Sequence, residues 1–245
     1  MRTILAVSAL ALSLTACSSE PTPAEVQDRD VTDLNTANTD GKVEAQAKAL
    51  SAGDFAELQL GGKVKGPQGF EVTGAMANDA GSFADLRAYV ACPRGTIVCD
   101  PKTQPEGTVY TYVFVVYPGG DNNPDTGIGA NNTASDIERA TAFRMVMPAH
   151  GFTGNAGYAK SEALAAIGAK ADVVVSCDNG GLVWTVSAGD GGNQWEQKEP
   201  LTFYWQSTLP PAGPAKAYVF DADSTFSTGS GPYPAAKEGA QNACA

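Results

Sequence analysis

The sequence predicts a mainly β protein: a disulfide-stabilised antiparallel β-sandwich with one short helix, following a disordered N-terminal tether. About nine short runs of apolar or alternating residues follow one another, separated by glycines and prolines. One segment of this body, 160–169, has a convincing helical pattern, and it is short. Many short strands with Gly- and Pro-rich turns and little helix are typical of a sandwich.

The strands differ in how far they are expected to be buried. Val109 to Tyr117 is apolar on both faces except at Thr111, which predicts a central strand. Residues 201–207 alternate between apolar and polar side chains, which predicts a half-exposed strand. The sequence Asp178-Asn179-Gly180-Gly181 predicts a hairpin turn. The nine predicted strands span 55–60, 69–75, 83–92, 108–117, 141–147, 172–177, 182–188, 201–208 and 216–221.

Four cysteines lie in the body of the chain: Cys92, Cys99, Cys177 and Cys244. An even number in an oxidising compartment predicts two disulfides, for which three connectivities exist. Proximity along the chain favours Cys92 with Cys99 and Cys177 with Cys244. Free thiols or a metal site are the alternative, but the chain lacks the CxxC spacing that metal sites favour.

The first seventeen residues predict export. Arg2 precedes an apolar run over 4–14 that is too short to span a bilayer, which indicates a signal peptide rather than a membrane helix. The stretch Leu14-Thr15-Ala16-Cys17 resembles the lipobox of bacterial lipoproteins. The resemblance implies a signal peptide over 1–16, cut before Cys17. It also implies a diacylglycerol on the Cys17 sulfur and a further acyl chain such as palmitate on its amine.

The lipobox resemblance implies a membrane-anchored, extracytoplasmic protein, because two or three acyl chains anchor a protein stably. Ser18 follows the cysteine where an Asp would indicate retention in the inner membrane, so the resemblance favours the outer membrane, on its periplasmic or its outer face. The alternative is an ordinary secretory signal in which Cys17 has no special role.

Three regions are expected after cleavage of the signal peptide. Residues 17–50 are rich in small and polar residues and predict a lipid-anchored flexible tether, with a short helix over 42–51. Residues 51–245 predict a single β-sandwich-like domain. The polar stretch near 118–136 leaves open two small β lobes divided at that point.

Charge and motifs argue against nucleic acid and nucleotides as partners. Without its signal the chain carries a net charge of −12, which repels phosphate backbones, and no basic residues cluster in the sequence. The stretch 154–161 resembles a P-loop, but Ala159 stands where a glycine must let the backbone curl around phosphate. We expect a glycine-rich loop before a capped helix, with at most a weak anion site.

Catalytic sets are sparse. His150 is the sole histidine, so multi-histidine zinc sites are impossible and any Ser-His-Asp set must use it. Its loop position favours a structural role, and it is kept as a weak candidate for ligand binding. A hydrolase would need paired carboxylates brought together by the fold, such as Asp221 with Asp223 or Glu196 with Glu199.

A calcium loop is a weak candidate. Asp121, Asn123 and Asp125 alternate as calcium ligands do, but the positions that need Gly and Glu hold Thr126 and Asn132. An ordinary polar turn is therefore the favoured interpretation. No other cofactor is expected.

Three tryptophans raise the question of glycan binding. Trp184 and Trp205 share strand faces with apolar residues and are predicted to lie in the core. Trp195 lies in a polar loop, so we predict that it is the most exposed of the three, where it could stack on a sugar. The alternative is that Trp195 folds back onto the body of the protein. The leading hypothesis is a non-catalytic envelope protein that binds or interacts with a partner. A glycan- or peptidoglycan-binding lipoprotein and a hydrolase are the alternatives.

Overall fold

The computed structural model describes residues 48–79, 84–119, 137–189, 192–196 and 199–245. They form two sheets and one helix. The elements are β1 (Lys48–Leu50), β2 (Gly53–Asp54), β3 (Leu60–Lys63), β4 (Val72–Met76), β5 (Ala84–Pro93), β6 (Tyr110–Pro118), β7 (Ala140–Met145), β8 (Phe152–Tyr158), α1 (Lys160–Ile167), β9 (Asp172–Asp178), β10 (Gly181–Ser187), β11 (Leu201–Ser207), β12 (Pro211–Ala222) and β13 (Thr225–Pro234).

The strands are divided between a six-stranded and a seven-stranded sheet. The first has the order β1-β9-β10-β7-β12-β13. The second has the order β2-β8-β11-β6-β5-β3, and β4 also pairs with β5. Apart from β2, which runs parallel to β8, the strand pairs are antiparallel. The predicted disulfide-stabilised antiparallel sandwich is confirmed.

Aromatic side chains from both sheets meet in the core. Phe143 of β7 stacks on Phe203 of β11 with 5.4 Å between the ring centroids. Phe114 of β6 lies 4.4 Å from Tyr218 of β12. These rings belong to one continuous cluster of buried residues, to which the chain on either side of 118–136 contributes.

Several local predictions are confirmed. β6 lies in the middle of its sheet, between β11 and β5, as its two apolar faces predict. Asn179 and Gly180 form the turn between β9 and β10, both with positive φ (47° and 78°). Both predicted disulfides, Cys92–Cys99 and Cys177–Cys244, are present.

The prediction that 201–207 is half-exposed is wrong, because other elements cover the outer face of β11. Glu162 of α1 accepts hydrogen bonds from the backbone N–H (2.6 Å) and the hydroxyl (3.1 Å) of Thr202. The ring of Phe55 lies 6.2 Å from that of Tyr204. Thr202 and Tyr204 are therefore buried, although their alternation with apolar residues indicates an exposed face.

Two N-terminal predictions are also wrong. The strand expected from residue 55 begins instead as a 3-10 turn, Phe55–Glu57, capped by the Asp54 carboxylate, which accepts from the N–H of Ala56 at 3.1 Å. The helix expected over 42–51 is contradicted at Lys48–Leu50, which pairs with β9 as a strand. The sandwich therefore begins before residue 51, and the remainder of the predicted tether lies outside the described residues.

Candidate functional site

A groove is lined by residues of both sheets, from β4 and β5 of one sheet and from β12 and β13 of the other. The two sheets are joined where Ala77 and Thr228 form a β-bridge. The chain between β3 and β4 leaves the edge of β5 as an excursion over 64–71. A cavity of about 290 Å³ lies beside it. We call this cavity the side groove; it is lined by 64–72, 88–90, 100–102, 211–214 and Pro232.

The walls of the side groove are stiff. Five prolines contribute to its lining, and each proline ring fixes its backbone φ angle. Gly66 and Gly69 close the turn of the excursion by donating hydrogen bonds to each other's carbonyl oxygens, at 2.7 and 3.1 Å. A ligand that enters the groove therefore has little backbone to order, which lowers the entropic cost of binding.

Polar groups are arranged at one wall of this largely apolar groove. The Lys63 ammonium lies 2.5 Å from a carboxylate oxygen of Glu71 and 3.9 Å from the centre of the Tyr89 ring. Burial and the neighbouring Glu71 charge raise the pKa of Tyr89. The Tyr89 hydroxyl is therefore protonated at neutral pH and is available to donate a hydrogen bond.

Next to the groove lies the disulfide loop, residues 93–98, which the Cys92–Cys99 bond closes. The loop runs back along β3: the N–H of Gly62 donates to the carbonyl of Thr96 at 2.6 Å, and Val64 pairs with Cys99. A glycine is required at Gly62, since a Cβ there would lie 2.3 Å from the carbonyl oxygen of Ile97. The excursion and the disulfide loop are thus held together.

The lining of the side groove mixes charged and polar side chains with apolar ones. Its lining contains lysine, aspartate, glutamate, glutamine and tyrosine side chains among apolar ones, but no histidine, serine or cysteine. It therefore lacks the nucleophile–base pair of a Ser-His or Cys-His site. Within the described residues, no group of three or more His, Cys, Asp or Glu side chains is placed to hold a metal ion.

The prediction that Trp195 is exposed is wrong, and the alternative, that it folds back onto the body of the protein, is confirmed. Trp195 is 1% exposed, against 0% for both Trp184 and Trp205, whose predicted burial is confirmed. Its ring packs edge-on against Phe203 and Phe220, at 5.8 and 5.7 Å. Its indole N–H donates to the carbonyl of Glu199 at 2.6 Å. A side chain enclosed in this way cannot stack on a sugar, so Trp195 is a core residue.

His150 is half-buried near the start of β8, and its ring lies edge-on 5.9 Å from the ring of Tyr233. Its backbone is tied on both sides, because its N–H donates to Pro148 and its carbonyl accepts from the Ser207 hydroxyl at 2.7 Å. His150 and Trp195 are the two residues predicted to bind a ligand, and neither lines the side groove. Trp195 packs against Phe203 and Phe220 instead.

The first carboxylate pair of the hydrolase hypothesis has structural partners. Asp221 forms a two-pronged ion pair with Arg144, with N–O distances of 2.7 and 3.3 Å. Asp223 accepts a hydrogen bond from the backbone N–H of Arg139 at 2.8 Å. Both side chains therefore stabilise the connection between β7 and β12.

The second pair forms a local contact. The Glu199 carboxylate accepts from the backbone N–H of Glu196 at 3.3 Å. Partial burial raises the pKa of Glu199, and the charge of Glu196 adds to this. Neither glutamate lines the side groove, so the geometry does not bring this pair to a binding cavity.

The P-loop-like stretch is not a loop. Residues up to Tyr158 form strand β8, which pairs with β11. The Asp54 carboxylate lies at the start of α1, where it accepts from the N–H of Lys160 at 3.3 Å. The expected glycine-rich loop is therefore wrong, and a carboxylate occupies the position where an anion would bind. Ala159, at the N-cap, provides no side-chain cap.

Three predicted site residues and the lipid attachment site lie outside the described residues: Asp121, Asn123, Asp125 and Cys17. In the part of the chain that the structure describes, no helix has the length and apolar character needed to cross a bilayer. The side groove itself was not predicted from the sequence. Its lining comes from five separate segments, and the best local signal was Gly66-Pro67-Gln68-Gly69-Phe70, a turn followed by an aromatic residue.

Comparison of the chain with protein-family models, with curated proteins and with solved structures finds no match.

Proposed function

We propose that this chain is a lipid-anchored, extracytoplasmic envelope protein whose β-sandwich is a non-catalytic binding module. The lipobox-like residues up to Cys17 support the anchor and its membrane. Two disulfides support an oxidising compartment, since such bonds are rare in the cytosol. Ser18 supports the outer membrane as the destination.

The observation that carries the binding role is the side groove. At about 290 Å³ it is close to the lower end of the size range of small-ligand sites, ~300–1,000 Å³. Such sites combine apolar walls with a few placed polar groups. The side groove has both, in the form of its prolines and valines and of Tyr89, Lys65 and Asp100. The module would therefore bind an apolar side chain or ring of a partner, together with one or two polar groups.

Phe70 provides the accessible aromatic of the groove and is 55% exposed. The Lys65 ammonium lies 6.0 Å from the centre of its ring. An exposed ring next to cationic and hydroxyl groups also suits a sugar face, so glycan binding remains the second candidate. Its support now lies at Phe70 in place of Trp195.

Photo-crosslinking in the intact lipidated protein tests the binding role. A benzophenone analogue of phenylalanine replaces Phe70 or, as the matched control, Phe226, which is equally exposed at 55% but does not line the groove. We expect an adduct from position 70 that position 226 does not form. Ala212→Trp, at an exposed lining residue, should fill the groove and reduce that adduct. No adduct at 70, or equal adducts at both positions, contradicts the proposal.

The composition of the adduct separates the two candidates. A crosslinked polypeptide supports a protein partner, whereas a mass increment of hexosamine units that muramidase removes supports a glycan. Either result assigns the groove as a binding site.

The anchor is tested separately. Intact mass spectrometry should find a mature chain that begins at acylated Cys17, and Cys17→Ser should abolish both the acyl chains and the cleavage. Separation of the membranes on a density gradient should place the wild-type chain with the outer membrane. A wild-type chain without acyl groups overturns the anchor proposal.

A further inference from the structure

The disulfide loop presents two adjacent apolar side chains, Ile97 and Val98, to solvent, and we call this pair the apolar tip. Ile97 is 91% exposed and Val98 is 75% exposed, more than any other large apolar side chain among the described residues. Single exposed apolar residues are ordinary on protein surfaces, but two neighbouring β-branched side chains at this exposure are unusual.

This exposure is fixed by the fold. The Cys92–Cys99 bond closes the loop, and the N–H of Thr96 donates to the carbonyl of Pro93 at 3.2 Å. The 2.6 Å hydrogen bond from Gly62 to Thr96 holds the loop against β3. Because the backbone is held at these points, the loop cannot easily fold back to cover Ile97.

Basic residues lie on the two chain segments that meet beside the tip, although the sequence shows no basic cluster. The pairing of Val64 with Cys99 places Lys65 and the excursion next to the segment that follows the disulfide loop. The segments 63–71 and 93–102 together carry a net charge of +2, whereas the chain without its signal peptide carries −12. The charged residues of the two segments are Lys63, Lys65, Arg94 and Lys102, and Glu71 and Asp100. The fold thus brings two segments with an excess of cations together next to the apolar tip.

We propose that the disulfide loop is a membrane-contacting tip, which inserts Ile97 and Val98 into the boundary between headgroups and acyl chains of a phospholipid bilayer. Lys65, Arg94 and Lys102 would then lie against lipid phosphates, with their aliphatic stems along the apolar surface. Each basic residue near an anionic surface adds to the attraction, within a short screening distance.

A bilayer suits this tip better than a protein partner does. Stable protein interfaces bury roughly 800 Å² on each partner, whereas the apolar surface here is two side chains with polar Arg94 and Thr96 beside them. Binding at a membrane interface adds electrostatic attraction to the burial of apolar area, so a small apolar surface next to cations gives a weak contact. The acidic remainder of the chain opposes the approach only weakly, because charges further away than ~8 Å are largely screened at physiological ionic strength.

The inference rests on the proposed function in one respect: the anchor keeps the body close to a bilayer, so a weak contact is enough to orient it. The contact itself does not need the anchor. It is therefore tested on the unlipidated chain from Ser18 to Ala245, exported with an ordinary signal so that both disulfides form. Failure in this assay leaves the anchor proposal intact.

Depth-sensitive fluorescence reports insertion directly. The native tryptophans are at most 1% exposed, so brominated lipids should quench them little. Val98→Trp places a reporter at the tip, and Phe226→Trp is the control at another exposed site. With vesicles of phosphatidylcholine containing phosphatidylglycerol, we expect quenching of the first reporter and none of the second. No quenching at position 98 overturns the proposal.

Vesicle sedimentation gives the energetic test. Ile97→Asp with Val98→Asp should lower partitioning at least about tenfold, because insertion is lost and charge is added. Leu164→Asp with Val174→Asp is the matched control, since both side chains are exposed but lie on α1 and β9. Equal losses in both double variants contradict a specific tip. Circular dichroism confirms that each variant is folded.

Replacement of the basic residues by glutamate separates the electrostatic contribution to membrane binding from the apolar one. Combined Lys65→Glu, Arg94→Glu and Lys102→Glu should abolish the preference for anionic vesicles over pure phosphatidylcholine. If the preference persists, the basic residues have no part in the contact and the charge complementarity is refuted.

Discussion

Replacement of Trp195 by alanine tests whether this side chain is part of the hydrophobic core. Trp195 is almost fully enclosed, with two edge-on aromatic contacts and an indole hydrogen bond to the Glu199 carbonyl. Removal of a large buried aromatic costs about 3–5 kcal/mol of the free energy of unfolding. We therefore expect Trp195→Ala to cost as much as Trp184→Ala or Trp205→Ala.

Trp195→Phe divides this cost into its parts. Phenylalanine keeps most of the apolar contact with Phe203 and Phe220 but cannot donate to Glu199. The loss of that one hydrogen bond leaves the carbonyl without this partner, at a cost of about 1–3 kcal/mol. The phenylalanine variant should thus lie between the wild type and the alanine variant in stability.

Equilibrium urea unfolding with the disulfides intact measures both variants. With an m-value of about 2 kcal/mol/M, a loss of 3–5 kcal/mol lowers the midpoint by roughly 1.5–2.5 M. The m-value should be unchanged, because the same surface is exposed on unfolding. A loss below about 1 kcal/mol for Trp195→Ala, together with free access of acrylamide to Trp195, would falsify its placement in the core.

Three further predictions follow from local geometry. Gly62→Ala should lower the free energy of unfolding by about 1–3 kcal/mol, because its Cβ would lie 2.3 Å from the carbonyl oxygen of Ile97. Gly74→Ala is the control: its Cβ would meet nothing within 4 Å, so its urea midpoint should be nearly unchanged. The double variant Cys177→Ser, Cys244→Ser should lower the free energy of unfolding by about 4 kcal/mol, because the disulfide closes a loop with a sequence separation of 67. Equal melting temperatures with and without this disulfide would contradict the prediction. Burial and nearby carboxylates raise the pKa of Tyr204 to about 12 in the folded protein. This shift stabilises the folded state fully below the ordinary tyrosine pKa, and the stabilisation is lost as the pH rises from about 10 to 12. The urea midpoint should therefore fall less steeply over that range in Tyr204→Phe, and identical pH profiles would refute the assignment.

Predictions from neighbouring residues in the sequence were the most successful. The Asn179-Gly180 turn was predictable because both residues tolerate positive φ, and few others do. The pairing of Cys92 with Cys99 was predictable because the loop between them is short and turn-prone. β6 was predictable because apolar residues on both faces suit a strand covered on both sides. In each case the sequence signal that decides the prediction lies within about ten neighbouring residues.

Predictions that needed knowledge of covering elements were wrong or were not made. The alternation in β11 indicated an exposed face, but Glu162 and Phe55, distant in sequence, cover it. Strand β13 was missed because Gly229, Gly231 and its prolines dilute the strand pattern, although the pairing with β12 holds it in place. Alternation reports which face a side chain is on, and it does not report what lies above that face.

The sequence by itself determined the fold class, the acidic character of the chain and the expectation of a lipid anchor at Cys17, because these depend on composition and on short motifs. It favoured the disulfide pairing, which the structure then selected from three connectivities. The tertiary structure decided that Trp195 lies in the core, that separate segments form the side groove, and that the segments carrying Lys65, Arg94 and Lys102 meet beside an exposed apolar pair. The physical reason is that burial and electrostatic potential are properties of a residue's neighbours in space. In an antiparallel sandwich most of those neighbours come from distant parts of the chain.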